Sequence, residues 1–442
     1  MSRFSGLGLS HRFIFLWSSL SFFTLLLSLI QVVQAADGSR EGADFKQPPI
    51  YLDIGEVLPP HLISGSNYRI KKQVRNDGII NVYQLETIYG NFQVETTPLL
   101  LERINELRAL EKMEELERTE VFKKALVSGV KAPLKLAGQA LQAPIDTAAK
   151  IAVGTGNFLS NVGRSIFSSD PHQDNVLKVA VGYDVAKRQF AYEFGINPYT
   201  DFDPVVERLG EISRAAVAGG IVPRAALQAV GGTAGAVVGL TATAKSMKRL
   251  VRDNAPAELE KINRKKLMDM GVSDELCDAF LGNYNYDPET ATILVGELYS
   301  MKGVKGREFF IAAASLAETR TRAYMFRIMA SMMAAYHYNH ARIGEVGLAA
   351  GIPYGINGLN MAVLFLPLDY LFWTELVAEK FSALDQELSR IEAIKGKEIW
   401  LSGKIDRQAW MEFARRGWPK VAQEFNPVVI QRPMPPGAVS GK

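Results

Sequence analysis

Few residues in this chain carry reactive chemistry. There are five histidines and one cysteine in 442 residues. His337 and His340 stand three apart, just after Met329, Met332 and Met333. Two imidazoles at that spacing can face one metal, but a third ligand is needed. Glu345 is the nearest acid downstream and completes no known pattern. The pair reads instead as a polar helix end, where histidine is electrostatically favoured. The methionines read as core filler. Cys277 reads as a small buried apolar residue rather than a nucleophile. Asp369 lies between an uncharged run and the aromatic residues Tyr370 and Trp373. Burial there raises a carboxyl pKa, which makes Asp369 the acid most worth a mutation. The chain has no G-x-S-x-G elbow, no G-x-x-x-x-G-K-[ST] loop and no Cys-x-x-Cys pair. Catalytic residues are therefore unassigned, no metal or cofactor is expected, and a non-enzymatic role is favoured.

The stretch around which the chain is organised runs from Ala215 to Ala244, with Arg224 its one charge. Gly231, Gly235 and Gly239 recur every four residues and share one helix face. Such a row leaves a groove into which another helix packs. Residues 225–244 are uncharged and long enough to span a bilayer, which takes about twenty residues. Ala, Gly and Thr dominate them, however, and these residues drive insertion weakly. The stretch reads as a helix hairpin turned at Pro223, either in a soluble core or held in a membrane.

The N-terminus reads as a signal peptide over residues 1–35. Arg3 and Arg12 form a basic region, Phe13 to Ile30 is strongly apolar, and Val33-Gln34-Ala35 offers a cleavage site after Ala35. The mature chain is then periplasmic or secreted. Removing the segment takes away two arginines and no acid, so the formal charge falls from +3 to +1. A nearly neutral chain gives no electrostatic case for nucleic acid. A single cysteine permits no intramolecular disulfide, so the fold relies on its core.

Residues 36–66 read as an extended linker with four prolines. Residues 67–124 carry the one clear β signal: YRIKKQV, IINVYQLETI and NFQVETT, with turns at Asn76-Asp77-Gly78 and Tyr89-Gly90-Asn91. A small antiparallel meander alone is marginal, so the helical stripe after Pro98 is expected to cover it. Residues 125–169 read as an amphipathic segment broken by Gly and Pro. Lys131, Lys135 and Lys150 sit there among apolar residues, as in helices that lie on a membrane surface. Residues 170–253 read as helices including the Gly/Ala-rich hairpin, 254–425 as a helical bundle, and 426–442 as a disordered tail. Within the bundle, Ser273, Asp287-Pro288 and Thr319 mark helix starts and Gly271 a helix end. Val346 to Leu368 is uncharged and rich in Gly and Pro, and reads as loop-like or tightly packed.

The meander with its helix, the Asp-Pro-capped helices and the LPLDYLFWTE stretch resemble uncharacterised exported proteins of Gram-negative bacteria. The resemblance implies no activity and carries no functional residues. The expected fold is mainly α: a multi-helix bundle with a small N-terminal antiparallel β-meander. The expected role is structural or interaction work at a membrane face, with a membrane surface or an envelope protein as partner. One alternative is a membrane-inserting, pore-forming or effector protein that uses 215–244 as its hairpin. The other is a hydrolase whose site the motifs do not show.

Overall fold

A computed structural model describes residues 45–120, 122–124, 171–219, 223, 241–418 and 420–422. Gly231, Gly235, Gly239, Lys131, Lys135, Lys150, the N-terminal segment through Ala35 and the tail after residue 425 lie outside the described residues.

The β-rich block forms a five-stranded antiparallel sheet of β1 (Ile50–Asp53), β2 (Tyr68–Ile70), β3 (Gln73–Asn76), β4 (Asn81–Thr87) and β5 (Gly90–Glu95). Two one-turn helices, α1 (Ile54–Val57) and α2 (Pro60–Ile63), join β1 to β2. Strand β4 is the hub: β3 and β2 pair with its two halves, and β5 pairs along its length. The stretch expected as one strand, YRIKKQV, is therefore interrupted at Lys71 and Lys72. Residues expected as linker add β1 to the outside of β3. Period-two alternation puts Tyr83 and Leu85 inside. Helix α3 (Thr97–Glu117) covers them with Leu100, Ile104 and Leu107, a helical stripe. Helices α4 (Pro171–Phe194) and α5 (Asp203–Gly219) join the same core through Phe190, Phe194 and Leu209. Fully burying each such side chain contributes about 1.5–3 kcal/mol.

Next come α6 (Ala242–Asp253), α7 (Pro256–Asp269), α8 (Asp274–Leu281), α9 (Pro288–Ser300), α10 (Arg307–Ala314) and α11 (Arg320–Asn339). Their starts follow the local chemistry. Ser273, Asp287 and Thr319 each accept a first-turn N–H with a side-chain oxygen. Helix α9 is central, and α6, α7 and α11 all pack on it.

The expected mainly α fold is wrong, because the C-terminal third holds a second five-stranded sheet, in the order β12-β10-β8-β7-β6. Its strands are β6 (Ile343–Ala349), β7 (Ile352–Asn357), β8 (Met361–Leu366), β10 (Gly396–Leu401) and β12 (Lys420–Ala422). β6, β7 and β8 run antiparallel. β8, β10 and β12 run parallel, with α12 (Glu375–Leu388) and α13 (Arg407–Arg415) as crossovers. A two-residue parallel pair, β9 (Tyr370–Leu371) and β11 (Lys404–Ile405), extends this end. One face of the sheet packs Val363, Phe365 and Trp400 with the helices that include α10 and α11. The other packs Leu364, Ile399 and Leu401 against α12 and α13. The protein is thus mixed α/β, with a three-layer C-terminal part.

The Gly- and Pro-rich run hid this sheet for physical reasons. Gly347 stands where a Cβ would lie 2.5 Å from the Tyr354 ring. Ala350 and Gly351 both have positive φ, the two-residue turn that joins twisted strands. The β7–β8 ladder begins at Tyr354, one residue past Pro353, so the missing proline N–H interrupts no bond to β8.

Candidate functional site: an apolar cleft beside the sheet junction

Asp369 follows β8 and faces the N-terminal sheet. Its carboxylate accepts the N–H groups of Asn81 at 2.7 Å and Thr97 at 2.8 Å. Burial pushes its pKa up to about 6, although both amides pull it down. Backbone bonds continue the seam, from Asp369 N–H to the Ile79 carbonyl and from Phe372 N–H to the Gly78 carbonyl. Gly78 has a φ of +108°, and a Cβ there would meet Thr374 at 2.9 Å. The LPLDYLFWTE stretch is therefore the joint between the two sheets. Asp369 is a structural acceptor there, with both carboxylate oxygens committed.

A cavity of about 230 Å³ opens beside this joint. Helix α11 lines it with Met325, Phe326 and Met329, and α12 with Leu376, Val377 and Phe381. Ile79 and Ile80 close it from the turn between β3 and β4, and Leu366 and Leu368 from the end of β8 and the residues after it. On each helix these positions are one or a few residues apart on one face, so helical periodicity alone makes each wall. Charged residues at the walls are Asp77, Glu95, Arg322 and Lys380. Asp77 accepts the Ile79 and Ile80 N–H groups, and Arg322 pairs with Glu318 at 3.0 Å. Burial depresses the Lys380 ammonium pKa, opposed only by Glu379. Ligand sites are commonly apolar concavities with few polar groups, of about 300–1,000 Å³. At about 230 Å³ this one is somewhat smaller than that range.

A second cavity, of about 260 Å³, carries a network of charged side chains. Arg103 pairs there with Glu106 at 2.7 Å and Asp201 at 2.9 Å, and Arg320 reaches Asp201 and Asp287. Burial raises the Glu106 pKa to about 7. Thr200 and Arg103 hold its two oxygens, so the carboxyl has no face left for a substrate. This network satisfies itself and reads as internal structure.

The histidines separate. Buried His337 accepts the Ile343 N–H at Nδ1, 3.2 Å away, and Arg342 lies beside Nε2. Burial and Arg342 together lower its pKa, so the helix-end reasoning that favours a charged histidine does not apply. His340 packs on the rings of Tyr336 and Trp400. Among the described residues no group of three His, Cys, Asp or Glu side chains is placed to hold a metal. Cys277 is buried. Met329, Met332 and Met333 all lie in the core, and Met329 also reaches the apolar cleft.

Sequence reasoning did not single out Met325, Phe326, Leu376 or Lys380. Their helical spacing was visible, but the meeting of their two helices was not. No family model matches the chain, and neither curated proteins nor solved structures give a match.

Proposed function

We propose that this is an exported protein that works at a membrane face by holding one apolar chain of a membrane-derived amphiphile in the cleft between α11 and α12. The observation that carries the reading is the cleft itself. Its walls come from the first sheet, the second sheet and two helices, and they are almost wholly apolar. A concavity with apolar walls and few polar groups is the usual form of a site for an apolar ligand. Its volume admits one chain. The exported location is supported by the basic and apolar N-terminal pattern ending at Ala35, and contact with a membrane by Lys131, Lys135 and Lys150 standing among apolar residues. Among the described residues no helix is long and apolar enough to cross a membrane.

The test is a titration of the purified full chain with a fluorescent single-chain probe, displaced by alkyl chains of increasing length. Saturable binding with an optimum length is expected. Met329→Trp places an indole in the cleft and should abolish binding while the melting temperature holds or rises, as filling a cavity does. Absence of saturable binding in the parent, or undiminished binding in Met329→Trp, sinks the reading.

A further inference from the structure

We propose that the chain held in the cleft ends in one negatively charged group paired with Lys380, so that the ligand is a long-chain carboxylate rather than a neutral lipid. This rests on the reading of the cleft as a site for an apolar chain. Lys380 lies on the same face of α12 as Leu376 and Val377, so the stripe that makes the apolar wall also places an ammonium on it. Of the four charged side chains at the walls, Asp77 and Arg322 are engaged, and Glu95 is the other acid. Asp77 is taken by two backbone amides. Arg322 is paired with Glu318 and feels Glu95 as well. Glu95 lines both cavities and so belongs to the wall between them.

Lys380 is half-buried, and no carboxylate among the described residues lies within ion-pair distance of it. Its partial burial costs hydration that a paired anion compensates. The start of α11 adds to this preference, because Thr319 and Thr321 bring the positive end of a twenty-residue helix to the cavity. A carboxylate and a phosphate share the chemistry Lys380 asks for. A cleft of about 230 Å³ suits one chain, and the arms of the experiment separate a single-chain carboxylate from a phospholipid.

The experiment compares a long-chain carboxylate with the alcohol of equal length, on the parent, Lys380→Met and Lys380→Arg. The parent should bind the carboxylate roughly tenfold or more tightly, the scale of one charge-assisted bond. Lys380→Met should remove that preference by weakening the carboxylate alone, and Lys380→Arg should restore it. Vesicles of an anionic phospholipid should lose no lipid to the protein. Equal binding of acid and alcohol by the parent, a preference that survives in Lys380→Met, or extraction of phospholipid overturns the proposal. If neither probe binds, the chain-site reading itself has failed.

Discussion

At the scale of single residues, burial governs the acids. Glu297 on α9 is fully buried. Thr241 and Ser331 both donate to its Oε1, and Oε2 has no hydrogen-bond partner. Arg327 on α11 attracts the carboxylate, but burial outweighs it and raises the pKa from 4.5 to about 7. The sign of the consequence follows from proton counting. Below 4.5 both folded and unfolded chains hold the proton. Between 4.5 and about 7 the folded chain keeps a proton that the unfolded chain has released, so stability falls as pH rises through this window. Above it the loss is complete. Glu297→Gln removes the titration. Unfolding free energies from chemical denaturation should therefore be similar for parent and variant at pH 4.5, and higher for the variant at pH 8, by on the order of 1–3 kcal/mol. A parent and variant with the same pH slope would contradict the burial argument. Asp369 illustrates what was legible at this scale. Its neighbours Leu368 and Tyr370 announced a buried acid with a raised pKa, and the structure has one. Its partners Asn81 and Thr97 are hundreds of residues away in sequence, and nothing local names them.

At the scale of elements, caps and stripes were legible because they are local. Ser273, Asp287 and Thr319 satisfy the first-turn amides of their own helices. The second sheet was not legible, because its strands are short and its glycines serve cross-strand neighbours. Gly347 is the clearest case. Tyr354, opposite it on β7, lies with its ring over the glycine and is almost wholly buried. Isolated glycines weaken strand signals, yet here the missing Cβ is what lets the ring lie flat. Gly347→Ala should push that ring off its site and cost about 1–3 kcal/mol, the usual range for overpacking. Gly358 is the control, since nothing lies within 4 Å of its added Cβ and its φ is not positive. Gly358→Ala should change stability by no more than about 0.5 kcal/mol. Chemical denaturation of the two variants decides the matter: equal losses would mean that the Tyr354 contact does not set the strand.

At the scale of the whole molecule, the question is what makes two sheets with separate cores one cooperative body. The cores are distinct: one under the first sheet, and one on each face of the second. The seam between the first sheet and the second is the 369–374 stretch, and among the described residues its buried charged contact is Asp369 with Asn81 and Thr97. Thr97 opens α3, so this carboxylate satisfies a helix-start amide from across the seam. The preceding Thr96 has a φ of +66°, a strained value for a β-branched residue, and it persists only where its surroundings hold it. Asp369→Ala leaves two buried N–H groups without acceptors, each costing about 1–3 kcal/mol. The loss falls on the coupling between the sheets and leaves each core intact. Calorimetry of the parent should show one transition. Asp369→Ala should show a lower first transition, with the first sheet and α3 melting apart from the second sheet. It should also weaken binding in the cleft, whose walls Ile79, Ile80 and Leu368 flank this contact. Asp77→Ala is the contrast, since Asp77 caps only its own turn and should lower stability without splitting the transition. A single unshifted transition in Asp369→Ala would show that the apolar part of the seam couples the sheets on its own.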